Sequence, residues 1–233
     1  MDIQLNYITK GTGKPLILLH GNGENHAYFV HQIEYFSRNY TVIALDTRGH
    51  GKSLCGEKPF TIKQFAEDLH DFLLEKNITK AHILGFSDGG NIALTFALKY
   101  PEFVDCLILN GANLFPAGVK RSVQIPIEIG YHLASFWAEK SEKAKKRAEM
   151  LGLMVNEPNI DPQELEKIKV KTLVIAGTKD MILETHTRMI AEKIPGASLA
   201  IIGGDHFIAN KNPNEFNKVV EEFLFRRKEG AVH

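Results

Sequence analysis

Ser87 stands in the segment Gly85-Phe86-Ser87-Asp88-Gly89, which has the form Gly-x-Ser-x-Gly. Its flanks matter as much as its letters. The apolar run Ala81-His82-Ile83-Leu84 before it predicts a buried strand, and Gly90-Asn91-Ile92-Ala93-Leu94-Thr95-Phe96-Ala97-Leu98 after it has helical spacing. A strand feeding a sharp turn and then a helix lifts a serine hydroxyl clear of the backbone, where it can attack a carbonyl carbon. The glycines allow that turn to be tight and strained.

A serine hydroxyl is a poor nucleophile at neutral pH and needs an imidazole to take its proton. Of the ten histidines, His206 is the candidate base. It follows the strand-like Ser198-Leu199-Ala200-Ile201-Ile202 and the loop Gly203-Gly204-Asp205, and it precedes a final helix over residues 214–227. Parallel sheets hold ligands in such loops, past the carboxyl ends of strands. The orienting acid should lie between serine and histidine in the chain order Ser…Asp…His. Asp180 follows the apolar run Lys171-Thr172-Leu173-Val174-Ile175-Ala176-Gly177, next to the strand that delivers His206. Its role would be to accept the imidazole N–H and stabilise the imidazolium. Asp205 and Glu184 are the weaker alternatives, since Asp205 adjoins His206 in sequence and the two side chains then point apart.

Acyl transfer also needs donors for a tetrahedral oxyanion. One should be the backbone N–H of Asp88. The other should come from His20-Gly21-Asn22-Gly23, which follows the strand-like Pro15-Leu16-Ile17-Leu18-Leu19; Asn22 is the choice. Gly21 lets that loop approach the substrate, and His20 reads as a brace for it. Two readings of the Asp88 carboxylate stand side by side. It could pair with a cationic substrate group, or it could complement the dipole of the helix it opens.

Strand patterns fall at residues 3–9, 16–20, 41–46, 81–85, 104–110, 171–176 and 198–202, with helical patterns between them. Near-continuous apolar strands suit a parallel sheet covered on both faces. The alternation predicts an α/β fold, a doubly wound and mostly parallel sheet flanked by helices, with residues 1–233 forming one domain. One helix start is well marked: Thr61 and Gln64 form a capping box, with Phe60 stapled to Phe65. Residues 113–161 are too long for a simple crossover, and carry helical patterns near 127–137 and 141–154. Lys140, Lys143, Lys145, Lys146 and Arg147 on the second pattern read as a solvated face.

The composition is that of an ordinary soluble enzyme, with 44% apolar and 24% charged residues and a formal net charge of zero. Zero charge gives no support to a nucleic-acid partner. No apolar run approaches the roughly 20 residues of a membrane span, and the N-terminus lacks a signal-peptide pattern. The two cysteines, Cys55 and Cys106, fit no zinc or redox spacing, and the expected setting is cytoplasmic. His26 and His31 match no ligand signature, so no metal or other cofactor is expected.

Taken together, the elbow, the early glycine loop, Asp180 and His206 resemble the α/β-hydrolase fold superfamily over nearly the whole chain. Asp46-Thr47-Arg48-Gly49-His50-Gly51-Lys52-Ser53 is a further family-like loop, whose Ser53 the resemblance implies to be inert. The resemblance also implies that residues 113–161 form a small helical cap over the site, where Phe115, Tyr131, Phe136 and Trp137 could line the pocket. One departure is that a single strand precedes Pro15, where the family has another before it. Gly85-Phe86-Ser87-Asp88-Gly89-Gly90, Asn110-Gly111-Ala112-Asn113 and Asp205-His206 look like the valacyclovir hydrolase (biphenyl-hydrolase-like) subgroup. That likeness implies that Asp88 receives the ammonium of an α-amino ester. The expected function is cleavage of a small carboxylic ester or related acyl compound through Ser87, Asp180 and His206. Thioesterase, lactonase, C–C bond hydrolase, aminopeptidase and acyltransferase chemistry share those groups. A ligand-binding protein that keeps the triad is the alternative outside enzymes.

Overall fold

Among the described residues, seven strands form one sheet in the order β1-β3-β2-β4-β5-β6-β7. The structure, a computed structural model, describes residues 2–225. The strands are β1 (Tyr7–Lys10), β2 (Lys14–Leu19), β3 (Tyr40–Leu45), β4 (Ala81–Phe86), β5 (Val104–Asn110), β6 (Lys171–Lys179) and β7 (Ser198–Asp205). Only the β1–β3 pair is antiparallel. The helices are α1 (Val30–Phe36), α2 (Ile62–Glu75), α3 (Asp88–Lys99), α4 (Arg121–Trp137), α5 (Glu142–Asn156), α6 (Glu184–Lys193), α7 (Ile208–Lys211) and α8 (Pro213–Phe225). The expected end of the last helix, Arg227, lies outside the described residues.

The strand sequences show why both faces are covered. Alternate residues of a strand point to opposite faces. Ile17, Leu19, Ile43, Leu45, Ile83, Leu107 and Leu109 join a core with α2, α3 and α6. Leu16, Leu18, Val42, Ala44, Leu84 and Ile108 join a second core with α1 and α8. Leu16 to Leu19 are each at most 1% exposed, so no position in that run can be polar.

Strand order reverses around β2: the chain goes from β2 to β3 on one side, then crosses to β4 on the other. A crevice opens at such a reversal, outside the carboxyl ends of the strands. Those ends carry His20, Ser87, Asp180 and His206.

Several boundaries differ from the sequence pattern. β1 is confined to Tyr7–Lys10, since only those residues pair with β3. β6 and β7 run further, to Lys179 and Asp205, because their pairing resumes past an irregularity between Gly177 and Lys179. Gly203-Gly204-Asp205 is therefore strand and not loop. α4 begins at Arg121, with Pro126 inside it, and not after the proline. The Thr61 hydroxyl accepts from the Gln64 N–H at 3.1 Å. The reciprocal half of the capping box is missing, because the Gln64 amide goes to Asp68 at 2.9 Å instead. α4 and α5 pack on each other between β5 and β6. Cys55 is exposed and Cys106 buried, and no disulfide joins them.

Candidate active site

Ser87 lies between β4 and α3 with φ 53° and ψ −120°. This is a strained conformation for a residue with a Cβ. Close backbone crossings impose it. A Cβ on Gly85 would lie 2.2 Å from the Gly89 carbonyl oxygen, and one on Gly89 would lie 2.0 Å from that of Leu19. The turn is tied down by Ser87 N–H to the Asn110 carbonyl at 2.8 Å and Gly90 N–H to the Ser87 carbonyl at 2.8 Å.

His206 follows β7 and is 3% exposed. Its Nδ1 donates to Asp180 Oδ1 at 2.7 Å. Asp180 is held in turn: Oδ1 accepts from Ile182 N–H at 2.9 Å, and Oδ2 from Gly177 N–H at 3.4 Å. With the proton on Nδ1, Nε2 is a basic lone pair, and it is buried without a hydrogen-bond partner. The alternatives to Asp180 are engaged elsewhere. Asp205 pairs with Lys211 and accepts from Phe207 N–H, while Glu184 pairs with Arg188 on α6.

The loop after β2 comes down on the serine, since a Cβ on Gly21 would lie 3.2 Å from Ser87 Cβ. His20 braces that loop. Its Nδ1 donates to the Gly21 carbonyl at 2.7 Å and its Nε2 accepts from Thr47 N–H at 3.0 Å. Burial pushes the His20 pKa down to about 4, so the ring stays neutral and can keep both roles. The Asn22 side chain donates to the Met150 carbonyl of α5 at 2.6 Å. Asp88 is the first residue of α3, so its N–H has no intrahelical acceptor.

The Asp88 carboxylate is 7% exposed. Oδ1 accepts from Asn91 Nδ2 at 3.3 Å, and Oδ2 is buried without a partner. Burial raises its pKa to about 6, outweighing His206 and the amides of Asn22 and Asn91, which favour the charged form. Dipole complementation therefore does not decide its state; desolvation does.

The 46–53 loop supports the site from behind. Asp46 accepts from His26 at both its backbone N–H, 2.8 Å, and its ring Nδ1, 2.7 Å. The Ser53 hydroxyl donates to the Asp46 carbonyl at 2.7 Å. Arg48 is fully buried and binds Asp68 through Nε at 2.7 Å and Nη2 at 2.6 Å. No group of three potential metal-ligating side chains exists among the described residues.

Trp137 is not brought to the triad. It is 51% exposed and lines a groove between α4 and α5 with Gly130, Leu133, Ala144 and Arg147. Phe136 is 72% exposed, and Phe115 packs edge-on against His186 at 4.6 Å. Helical register turned Phe136 and Trp137 outward, which spacing alone did not reveal. Sequence reasoning also missed Glu24 and Tyr28, each with a buried, unpartnered oxygen near His206. An acid two residues after Asn22, on the loop expected to hold the oxyanion, was the available signal.

Comparison with known proteins agrees with the fold. A family model described as alpha/beta hydrolase fold matches residues 14–127. The chain is 27% identical over 248 residues to the serine hydrolase BPHL of Homo sapiens, covering 95% of this chain and 83% of that protein. It is 27% identical over 260 residues to 3-oxoadipate enol-lactonase 2 of Acinetobacter baylyi, covering 97% and 94%. Among solved structures, a meta-cleavage product hydrolase from Pseudomonas fluorescens superposes with a TM-score of 0.78 at 26% identity, covering 95% and 94%. An alpha/beta hydrolase enzyme from a Medee basin deep-sea metagenome library superposes at 0.85 with 19% identity, covering 100% and 98%. By sheet order, elbow geometry and these likenesses, the chain has the α/β-hydrolase fold and is similar to members of that superfamily.

Proposed function

We propose that the protein is a serine hydrolase acting on a small carboxylic ester or related acyl compound. The observation that carries this is the His206 ring, whose Nδ1 is spent on Asp180 at 2.7 Å while the buried Nε2 is left free. Nε2 takes the Ser87 proton as Oγ attacks the carbonyl carbon. The backbone N–H groups of Asn22 and Asp88 bind the oxyanion. His206 then protonates the leaving group, and afterwards activates water to release the acyl group from Ser87. Asp180 keeps the ring in the productive tautomer throughout.

The unpartnered Asp88 Oδ2 favours a narrower reading, α-amino esters, with the substrate ammonium neutralising a carboxylate that burial otherwise penalises. Hydrolysis of two matched esters, one with a free α-amino group and one without, tests both statements. Ser87→Ala should abolish turnover of both. A preference for the amino ester of about tenfold or more, about 1.4 kcal/mol, should disappear in Asp88→Asn. Equal rates for the two esters would remove Asp88 from specificity and leave the esterase. Turnover that survives Ser87→Ala would refute the hydrolase mechanism.

A further inference from the structure

We propose that Glu24 is a second specificity-determining residue of this site, binding a cationic group on the leaving, alcohol side of the substrate. The proposal rests on the hydrolase reading above. Glu24 sits on the loop after β2, three residues past Gly21, and its own N–H closes the turn onto the Gly21 carbonyl at 3.2 Å. Its Oε2 is buried and has no hydrogen-bond partner. Beside it, at the next turn of chain, Tyr28 is 9% exposed with a hydroxyl that is likewise buried and unpartnered. The Tyr28 ring stacks on Phe86 at 4.3 Å, and Phe86 lies against the His206 ring at 4.8 Å. His206 Nε2 completes the set of unpartnered buried atoms.

Charge completes the argument. Glu24 forms no ion pair with a lysine or arginine among the described residues; its partners are the Gly21 backbone and the field of His206. Burial pushes its pKa up to about 7, with those two influences pulling the other way. A substrate that fills the site strips further water from this carboxylate. Without a compensating charge that desolvation opposes binding. A cation on the substrate reverses the sign, and the Tyr28 hydroxyl offers it a second oxygen.

The flank follows from the chemistry. His206 hands its proton to the leaving group, so the departing oxygen must come to Nε2. Glu24 lies within the field of His206, on the loop that carries Asn22, and in the proposed arrangement it faces that leaving portion. Asp88, which also feels His206, belongs to a different element, α3, beside Asn91, whose amide reaches Asn113 at 3.0 Å.

The test compares the 2-(dimethylamino)ethyl and 3-methylbutyl esters of one simple carboxylic acid, which match in shape and differ in charge, at pH 8. The expected result is a kcat/KM ratio of about tenfold or more favouring the cationic ester, equivalent to about 1.4 kcal/mol. Glu24→Gln should bring the ratio to about one, while Glu24→Asp, which keeps the charge, and Asp88→Asn should each retain a clear preference. A ratio near one in the wild type, or a ratio unaffected by Glu24→Gln, overturns the proposal. So does a ratio lost in Asp88→Asn and kept in Glu24→Gln. Ser87→Ala separates the two layers. If hydrolysis of the neutral ester is Ser87-dependent and no charge preference exists, Glu24 alone is refuted. Hydrolysis that does not depend on Ser87, or no hydrolysis of either ester, refutes the enzyme reading and this inference with it.

Discussion

Asp88 makes its own ionisation unfavourable, and that is measurable apart from catalysis. Its pKa is raised from 3.8 to about 6. Between those values the folded chain holds a proton that the unfolded chain has released, so stability falls as pH rises through this window. Two units correspond to at most about 3 kcal/mol, since one unit is about 1.4 kcal/mol. Asp88→Asn should thus stabilise the protein by about 1–3 kcal/mol at pH 8, with the gain vanishing near pH 4. Denaturant unfolding at both pH values reads this directly, and a gain of equal size at both would rule out burial as its cause. In the proposed mechanism Asp180 acts differently, through the tautomer of His206. Asp180→Asn should lower kcat by about 10³- to 10⁴-fold while KM changes little, because substrate contacts are untouched. A loss confined to KM would argue against the orienting role.

At the scale of elements, α2 is held to its neighbours through its N-terminus and one buried ion pair. The Thr61 hydroxyl caps Gln64 N–H, and the Glu157 carboxylate beyond α5 accepts from Ile62 N–H at 2.7 Å. Removing the hydroxyl in Thr61→Ala should cost about 1 kcal/mol, with activity retained in the folded fraction. Arg48 is a harder case. Asp68→Ala would leave a fully buried guanidinium with only Asp2 and the Cys55 carbonyl as partners. The expected loss is about 3–5 kcal/mol, since breaking a buried pair strands the remaining charge. Thermal unfolding of the two variants should therefore separate clearly, and equal shifts would show that the ion pair contributes no more than a surface one. Nothing in the sequence pattern joined Arg48 to Asp68. They meet because α2 packs over the loop that follows β3.

At the scale of the whole molecule, the long segment between β5 and β6 folds into α4 and α5, which meet the α/β body through Asn22 and Met150 at 2.6 Å. The outer side of α4 carries Ile129, Leu133, Phe136 and Trp137, each more than half exposed. Trp137→Ala should change kcat/KM by less than about twofold, because surface changes away from a site are nearly neutral; a larger loss would return Trp137 to the pocket. Much of the molecule was legible beforehand. Apolar runs read as strands because a sheet buried on both faces tolerates nothing else. Ser87 was legible because a strained turn needs small residues at fixed offsets, and Asp180 and His206 because each ends an apolar strand. These are local properties, written in neighbouring residues, and they determined the fold class and the candidate site residues. What only tertiary structure decided depends on distant partners: the neutral His20 brace, the Arg48–Asp68 pair, the outward register of Trp137, and the burial of Asp88, Tyr28 and the Glu24 Oε2. Desolvation is set by everything packed around a group, so no stretch of sequence carries it.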